Sequence, residues 1–399
     1  MQKPIPAGAR TMSERLQVDR RPARVIIVVN EDWMFWSHRL ALARAATAAG
    51  ARVTVATRVD RHGERIEREG FRLAPLAWRR GSRDVIAEAA AVADLAALYR
   101  RERPDLVHHV GVKAALYGGM AALAAGGPAQ IHTIAGFGFV SVSQRRRARA
   151  LRATMGAAFR RVLARPRSHL VVQNADDLAD VRNGALFPMA RVHLVAGSGV
   201  DTEAFAPSPE PDGPVTAVLA SRLIRPKGIV QLVDAARILR HEQCALRVVL
   251  VGDPDPENPD TVTEAELRAW HGEGLIEWRR RCDDMPAVWA ACHVAVLPSY
   301  REGMPRTLLE AASCARPLVA SDVPGCRDLV RDGDNGFLVP LHDAPALAAA
   351  LARLAGDAAL RVRMGARARA LVEQHYSDRH IVAQMLALYR GAIGIGEAR

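Results

Sequence analysis

The sequence predicts an α/β protein with two successive doubly wound domains, each built on a parallel sheet. Short apolar runs alternate with longer stretches of helical periodicity, which is the pattern of βα units around such a sheet. Most of the runs are nearly continuous in apolar residues, as is typical of strands covered on both faces. The alternation restarts after a proline-rich stretch, residues 207–214, which indicates a linker between two sheets.

The first sheet is predicted to begin with a buried strand at Arg24–Val29. A loop and a helix over about Ser37–Ala49 follow, and Gly50 stands where helices favour a C-terminal cap. The remaining strands of this sheet are predicted at Val53–Thr57, Leu106–His109, Ile131–Ile134 and Leu170–Gln173. Residues 1–23 are polar, contain three prolines and lack the apolar core of a signal peptide, so they are predicted to form a flexible tail.

The second sheet is predicted from four apolar runs, Val215–Ala220, Leu246–Gly252, Val294–Leu297 and Leu318–Ala320. The length of 399 residues suits two domains, predicted over residues 24–200 and 207–375. Doubly wound sheets bind ligands beyond the carboxyl ends of their strands, so a site is expected in a cleft between the two domains.

The composition is that of a soluble globular protein, with 49% hydrophobic and 25% charged residues. The five cysteines are odd in number and form no C-x-x-C pair, which argues against a disulfide framework or a zinc site and for a reducing compartment. The uncharged stretch Ala114–Gln144 is broken by Gly126, Gly127 and Pro128. It therefore lacks the roughly 20 continuous apolar residues of a membrane-spanning helix.

The net charge of +12 is concentrated in one region. No Asp or Glu lies between Asp105 and Asp176, whereas this interval holds Lys113 and nine arginines. Such a region suits an anionic partner. The candidates are a membrane surface, a phosphorylated substrate and nucleic acid. No nucleic-acid recognition motif accompanies the arginines, so nucleic acid is not the expected partner.

Residues 144–165 have the pattern of a basic helix with one apolar face. One interpretation is a helix that rests on anionic lipid, and the other is an ordinary surface helix packed on the first domain. The membrane patch would consist of Arg145, Arg146, Arg147, Arg149 and Arg152.

The segment Ser299–Ala320 carries the strongest chemical signal. A strand ends at Pro298, a loop holds Glu302 and Gly303, and a helix is predicted to begin near Pro305. Backbone N–H groups at this helix start, which a ligand approaches closely at Gly303, suit a diphosphate. Glu310 is placed to accept hydrogen bonds from ribose hydroxyls. The alternative is that both glutamates are capping or solvated charges.

A second segment, residues 220–230, supplies two cations. Arg222 follows a predicted strand, and Lys227 precedes Gly228 at the start of the next helix. Cations there can neutralise a leaving diphosphate without a metal. Each alone is equally well an ordinary surface charge, but the glutamates downstream favour the functional interpretation. The acidic stretch 253–259 is predicted to be a surface loop rather than a metal site.

The stretches ASRLIRPKG, CDDMP, LPSYREGMPRTLLEA and SDVPGCRDLVRDGDNGFLVP resemble the donor domain of family 4 retaining glycosyltransferases. With VVQNADD and GSGVDTEAF upstream, the resemblance covers nearly all of residues 24–392. It implies the GT-B fold, in which two Rossmann-like domains face across a cleft and a C-terminal helix, here residues 376–399, crosses back to the first domain. The resemblance is to the branch that acts on polyprenyl-diphosphate-linked sugars in capsule, O-antigen and protein-glycan assembly.

The resemblance implies a role for each matching residue. Arg222 and Lys227 hold the donor diphosphate, and Glu302 contacts hydroxyls of the transferred sugar. Glu310 binds the ribose, and Arg281 lies near the nucleobase. The remaining donor-site residues are Gly303, Met304 and Pro305 around the sugar and Thr307 and Leu308 beside the phosphates. No cofactor or metal is implied, and UDP is the implied nucleotide.

One departure from the family pattern concerns the acceptor side of the cleft. Many members have a histidine before the glycine at Gly136, where this chain has Ala135. The candidates for acceptor contact are therefore Gly136 itself and three other residues, His38, His109 and Lys113.

The expected function is transfer of a hexose or N-acetylhexosamine from a UDP-sugar to a polyprenyl-diphosphate-linked glycan. The expected location is the cytoplasm, at the inner face of the membrane. Three alternatives stay open: a sugar-nucleotide epimerase of the same fold, a transferase with a small soluble acceptor, and a binding or scaffold protein.

Overall fold

The structure is a computed structural model that describes residues 16–19, 21–78, 84–134, 161–162, 165–184 and 188–394. The contacts divide the chain into two compact units. Unit 1 consists of Met1–Val172, Asp180–Val195 and Val382–Arg399, and unit 2 consists of Gln173–Ala179 and Ala196–Ile381. The two units are therefore not separated by a single boundary near residue 200. By their contacts, residues 173–179 belong to unit 2 and residues 382–399 belong to unit 1.

A short antiparallel ribbon precedes the first sheet. It pairs β1 (Gln17–Val18) with β2 (Arg21–Pro22). The side chain of Leu16 is fully buried, and its backbone N–H donates to the carbonyl of Ala49 at 2.8 Å. The prediction of a flexible tail is thus wrong for the ribbon residues, whereas residues 1–15 lie outside the described part of the chain.

Unit 1 contains a seven-stranded parallel sheet in the order β5-β4-β3-β6-β7-β8-β9. Its strands are β3 (Arg24–Glu31), β4 (Arg52–Arg58), β5 (Arg72–Pro75), β6 (Leu106–Val110), β7 (Ala129–Ile134), β8 (Ser168–Val172) and β9 (Val192–Leu194). The chain builds the sheet outward in both directions from the junction of β3 and β6, which is the topological switch point where such sheets bind ligands.

The helices that begin in unit 1 are α1 (Asp32–His38), α2 (Leu40–Ala48), α3 (Gly63–Arg68), α4 (Val85–Glu102) and α5 (Val112–Ala124). The loop predicted after β3 is wrong, because α1 follows this strand directly. The buried Asp32 carboxylate accepts hydrogen bonds from the backbone N–H groups of Asp60, Arg61 and His62 at 2.7–2.8 Å, which fixes α1 at this position. Arg39, with φ −129°, separates α1 from α2.

Unit 2 contains a six-stranded parallel sheet in the order β12-β11-β10-β13-β14-β15, which is the 3-2-1-4-5-6 order of a Rossmann-like domain. The strands are β10 (Val215–Ala220), β11 (Leu246–Val251), β12 (Glu277–Arg279), β13 (Val294–Leu297), β14 (Leu318–Ser321) and β15 (Gly336–Val339). Alternate residues of β10 enter two separate apolar clusters, Ala217 and Leu219 one, Val218 and Ala220 the other. The sheet is therefore covered on both faces, which confirms the predicted fold class.

Helix α6 (Ala175–Asn183) joins the two units in sequence, because its first residues group with unit 2 and the rest with unit 1. Unit 2 also holds α7 (Ile229–His241), α8 (Glu264–Gly272), α9 (Met285–Ala290), α10 (Arg306–Ser313), α11 (Cys326–Leu329), α12 (Ala344–Gly356) and α13 (Ala358–His375). The last helix, α14 (Asp378–Ile393), groups with unit 1 from Val382 onward. There the fully buried Tyr389 hydroxyl lies 2.7 Å from Nδ1 of His108 on β6.

Candidate active site

The candidate site lies at the switch point of unit 2, where β10 and β13 are neighbours. The segment after β10 carries Arg222 and Lys227, and the segment after β13 carries Glu302 and Gly303. Because parallel strands end at the same edge of the sheet, the fold brings the two sequence motifs together at the position where Rossmann-like domains bind nucleotides.

Lys227 and Glu302 form the central contact of the site. The Lys227 Nζ atom lies 2.5 Å from Oε1 of Glu302, and their side chains are only 22% and 11% exposed. Gly228 makes this approach possible: its φ is +74°, and a Cβ atom there would lie 1.9 Å from the carbonyl oxygen of Pro298. Only glycine fits between the two loops at this point.

Arg222 lies at the same edge of the sheet but has a different partner. Its guanidinium donates to Asp255 at 2.7 Å, and its side chain is 42% exposed. The acidic loop 253–259 thus supplies a counterion for Arg222. Because the arginine is half-exposed, it can reach a bound anion by exchanging this partner.

Helix α10 presents an uncapped N-terminus beside these residues. Its N-cap residue is Pro305, and no side chain caps the first turn. The Thr307 hydroxyl oxygen is buried and has no hydrogen-bond partner among the described residues. An unpaired buried hydroxyl is costly, so a ligand oxygen at this helix start would satisfy it.

Leu308 lies in the first turn of α10, and its place beside the phosphates stays a prediction. Its side chain is fully buried in the apolar core of unit 2, and its N–H donates to the carbonyl of Pro305 at 3.1 Å. Leu308 therefore positions the helix and offers no side-chain contact to a ligand.

Glu310 is held inside the site by its neighbour one helical turn earlier. Its carboxylate accepts a hydrogen bond from Nε of Arg306 at 2.7 Å, and its side chain is 10% exposed. Met304 is also buried, against Gly197, where a Cβ atom would lie 2.8 Å from the methionine Cγ. Arg306 occupies Oε1, and Oε2 lies 3.5 Å from Nε1 of Trp289, so a ribose hydroxyl that bound Glu310 would share the carboxylate with these two side chains.

The residue expected near the nucleobase, Arg281, follows the carboxyl end of β12, two strands away from β10. Its side chain is 43% exposed and lies 3.6 Å from the Asp283 carboxylate. It is thus placed at the same edge of the sheet as Arg222 and Lys227, while its ion pair is with an aspartate of its own loop.

Asp378 is a site residue that the sequence did not indicate. It begins α14 and lies against Gly199, where a Cβ atom would approach its Oδ1 to 2.7 Å. Burial raises the pKa of this carboxyl to about 6, with Arg306 opposing and Glu310 adding to the shift. It is distant from Glu310 in sequence and belongs to no motif, so only the fold reveals the proximity.

The acceptor-side candidates of unit 1 have separate environments. Lys113, at the start of α5 after β6, donates to Glu88 at 2.8 Å. His38, at the end of α1, has its Nδ1 2.5 Å from the Ser37 hydroxyl oxygen. Both belong to helices that follow β3 or β6, the strands of the switch point. Ala135, Gly136 and the whole arginine patch from Arg145 to Arg152 lie outside the described residues.

The structure contradicts the expectation that His109 contacts an acceptor. Its ring is fully buried, with Nε2 2.9 Å from the Tyr99 hydroxyl and Nδ1 3.2 Å from Nδ1 of His132. Burial holds its pKa well below the ordinary value, so the ring is neutral near pH 7. His109 is a structural residue of the unit 1 core, because both ring nitrogens face protein atoms.

Metal-binding clusters and membrane spans are both absent from the part of the chain that the structure describes. No group of three or more His, Cys, Asp or Glu side chains there is arranged to hold a metal ion. No helix in the described ranges is long and apolar enough to span a bilayer.

Two family models match the chain, one in each predicted domain. Residues 24–165 match the model described as glycosyl transferase 4-like, and residues 214–357 match glycosyl transferases group 1. The second match contains the candidate donor residues between Arg222 and Glu310, whereas Asp378 lies beyond it.

Curated relatives carry related names. The UDP-Gal:alpha-D-GlcNAc-diphosphoundecaprenol alpha-1,3-galactosyltransferase of Escherichia coli is 27% identical over 70% of this chain and 73% of its own length. The alpha-maltose-1-phosphate synthase of Mycobacterium tuberculosis is 33% identical over 50% of this chain and 56% of its own. A Campylobacter jejuni N,N'-diacetylbacillosaminyl-diphospho-undecaprenol alpha-1,3-N-acetylgalactosaminyltransferase is 29% identical over 44% of each chain.

Solved structures share the fold over almost the whole chain. The sucrose-phosphate synthase from Thermosynechococcus elongatus aligns with a TM-score of 0.77 and 22% identity, covering 93% of this chain and 99% of that one. The Anabaena protein HepE in complex with UDP and glucose aligns with a TM-score of 0.74 and 19% identity, covering 91% and 98%. With two Rossmann-like sheets and both family models matched, the chain belongs to the family 4-like glycosyltransferases of the GT-B fold.

Proposed function

We propose that this glycosyltransferase moves a hexose or N-acetylhexosamine from a UDP-sugar to a hydroxyl of a polyprenyl-diphosphate-linked sugar, with retention of configuration. The observation that carries the proposal is the Lys227–Glu302 contact at the switch point of unit 2. This contact supports the proposal because it joins a cation to a carboxylate in the loop that leads into the uncapped first turn of α10.

The donor would be held by three features of unit 2. Its diphosphate would lie at the start of α10, where the Thr307 hydroxyl lacks a partner among the described side chains. Lys227 and Arg222 would balance the phosphate charge. Glu310 would accept hydrogen bonds from the ribose hydroxyls, with Arg306 holding the carboxylate through Oε1. The structure of HepE, which has the same fold, contains UDP and glucose.

The chemistry proposed is a front-face displacement. The bond between the anomeric carbon and the leaving phosphate oxygen breaks with both electrons going to that oxygen. The acceptor hydroxyl attacks from the same face and gives its proton to the departing phosphate oxygen, so no protein nucleophile is needed. Lys227 and Arg222 stabilise the charge that develops on the diphosphate, which is the largest contribution expected of the protein. Two cations at the phosphates make a metal unnecessary.

The acceptor proposal is supported by the relatives' names. The Escherichia coli and Campylobacter jejuni proteins are named for sugars on diphosphoundecaprenol. An acceptor of this kind resides in a membrane, so we place the reaction at the inner, cytoplasmic face of the membrane. The patch from Arg145 to Arg152 would contact anionic lipid there.

The membrane contact is tested by charge reversal. Replacing Arg145, Arg146 and Arg147 by glutamate should reduce binding to phosphatidylglycerol vesicles at least about tenfold, since each basic residue near such a surface contributes roughly 1 kcal/mol. Reversal of three exposed unit 2 arginines, Arg237, Arg247 and Arg268, is the matched control. Unchanged vesicle binding by the first variant would refute the membrane role.

The activity is tested by UDP release from a panel of UDP-sugars. Each donor is offered alone, with a polyprenyl-diphosphate-linked sugar, and with small soluble sugars. Release that requires the lipid-linked acceptor, with an α-linked product from an α-linked donor by NMR, is the expected result. Release only with a soluble acceptor would overturn the acceptor assignment. Conversion of the UDP-sugar to its epimer without release would indicate the epimerase instead.

A further inference from the structure

The loop that carries Glu302 is bound by a distant segment of the chain. Nothing in the sequence indicated that this segment contacts the candidate donor site. This segment, Gln173–Ala179, follows β8 and groups with unit 2, although the residues on either side of it group with unit 1. Asn174 and Asp177 within it are 1% and 0% exposed. Two polar side chains are thus buried next to the proposed sugar-binding loop.

Asp177 binds the residue immediately before Glu302. Its Oδ1 atom lies 2.5 Å from Nη2 of Arg301, and its Oδ2 atom accepts from the Asn174 amide at 2.8 Å. A buried carboxylate is retained only when it is paired and hydrogen-bonded, and here both oxygens have partners. The contact therefore fixes the backbone on the N-terminal side of Glu302.

Asn174 binds the residue immediately after Glu302. Its Nδ2 atom donates to the carbonyl of Gly303 at 2.9 Å. Its Oδ1 atom accepts the N–H of Asp177 at 2.7 Å, so the same side chain also caps the start of α6. Capping would be served equally by aspartate, but aspartate has no N–H to offer the Gly303 carbonyl. The bond to the loop is thus additional to the cap.

Gly325 lies close to the same carbonyl group, since a Cβ atom there would lie 2.4 Å from the Gly303 carbonyl oxygen. The backbone after Glu302 is therefore in contact with both Asn174 and Gly325, and the Glu302 carboxylate lies 2.5 Å from Lys227.

We propose that Asn174 and Asp177 are positioning residues that fix the Glu302–Gly303 loop in the geometry that receives the transferred sugar. The inference rests on the proposed function of this loop. Asn174 and Asp177 should therefore affect how the transferred sugar is held and not how tightly UDP binds, because the UDP moiety would be held by α10 and Glu310.

The test compares binding and turnover in matched variants. Asp177→Asn keeps the size of the side chain but removes the charge that pairs with Arg301. We expect kcat with the active UDP-sugar to fall about 10- to 100-fold, as is common for residues that orient a ligating group. The Kd for UDP, measured by calorimetry, should stay within twofold. Asp176→Asn is the control: it lies in the same segment but pairs with Arg327, and its kcat should stay within twofold.

A double variant separates positioning from stability. In Asp177→Asn alone, Arg301 loses its ion pair with Asp177, and this should lower the thermal midpoint. Adding Arg301→Gln removes the arginine charge and should restore most of the midpoint, but kcat should stay low because the ion pair that holds the residue before Glu302 is still missing. A kcat that recovers together with the midpoint would assign these residues a structural role only.

Two other outcomes would also overturn the proposal. One is a kcat within twofold of the wild type in Asp177→Asn, and the other is a loss of UDP affinity as large as the loss of turnover. A wild-type protein that binds no UDP-sugar would refute the proposed function itself, and the positioning role with it. An active wild type with unaffected variants would refute the positioning role alone.

Discussion

Each ionisable side chain assigned to the donor diphosphate and ribose has an oppositely charged neighbour within the protein. Arg222 lies against Asp255, Lys227 against Glu302, and Glu310 against Arg306. Partly buried charges need such partners, because leaving one unpaired costs several kcal/mol. A bound nucleotide sugar would exchange these partners for phosphate and hydroxyl oxygens, so the site is charged and oriented before the substrate arrives.

Asp378 is the exception, since its surroundings disfavour its charge. Burial raises its pKa from 3.8 to about 6, so the folded protein binds a proton more tightly than the unfolded chain does. The resulting destabilisation is absent well below pH 4, develops between about pH 4 and 6, and is fully present above 6. Replacement by asparagine should therefore raise the thermal midpoint by a few degrees at pH 7 and leave it unchanged at about pH 3. Calorimetry at both pH values checks this, and an equal midpoint at pH 7 would contradict it.

The residue contacts that could be predicted from sequence are those within motifs. Lys227 and Glu302 each follow a recognisable strand, so their meeting at the sheet edge was foreseeable. The bonds from Asn174 and Asp177 to the Glu302 loop were not, because they join residues more than 120 positions apart. The positions of the histidines in the sequence do not indicate which of their side chains are buried. For this reason the sequence offers His109 as an acceptor contact, although its ring is fully buried.

Within the two parallel sheets, the strands that the sequence did not reveal are the edge strands and, in each sheet, they lie at both ends. They are β5 and β9 in unit 1 and β12 and β15 in unit 2. Three of them contain no fully buried residue, since an edge strand is covered less than a central one. Continuous apolar runs predicted the central strands, and a run of that kind is missing where one side of the strand meets solvent.

The turn between β10 and α7 depends on Gly228. Gly228→Ala would bring a Cβ atom within 1.9 Å of the Pro298 carbonyl and should cost more than about 3 kcal/mol in stability while displacing Lys227. Gly274→Ala is the matched control, with φ +70° instead of +74° but open space around it, and should cost only about 1 kcal/mol. Urea denaturation of both variants checks this, and equal losses would show that backbone strain, not the close approach, governs the turn.

Central strands of unit 1 carry a buried histidine network. His108 and His109 lie on β6 and His132 on β7, all fully buried. Burial lowers the pKa of His132 to about 3 and those of the other two well below 6.5. The unfolded chain therefore takes up protons before the folded one does, and stability should fall as the pH drops below 6.5. For His132 alone the loss is about 2 kcal/mol at pH 5.

Hydrogen exchange distinguishes this effect from general acid sensitivity. Between pH 7 and pH 5, corrected for intrinsic rates, peptides from β6 and β7 should lose protection, whereas peptides from β10 and β13 should change less. Equal loss in both sheets would contradict the assignment of acid sensitivity to the histidine network.

At the scale of the whole molecule, the chain forms two doubly wound parallel sheets, one in each unit. Short segments of the chain group by their contacts with the unit that does not precede or follow them directly in sequence. The sequence predicted both sheets, because each has a linked series of apolar strands. It did not predict that Gln173–Ala179 groups with unit 2, since this depends on side-chain contacts and not on periodicity. The fold was therefore predictable to the level of domain and central strand, and the donor site to the level of its motifs.

We propose that Lys227 promotes sugar transfer by stabilising the negative charge on the leaving diphosphate. The most direct test is turnover of Lys227→Ala at saturating donor, compared with Arg247→Ala, an exposed arginine on β11 that pairs with Glu277. We expect kcat to fall on the order of 10²–10³-fold in Lys227→Ala and to stay near the wild-type value in the control. Near-normal turnover of a folded Lys227→Ala enzyme would contradict this role of Lys227.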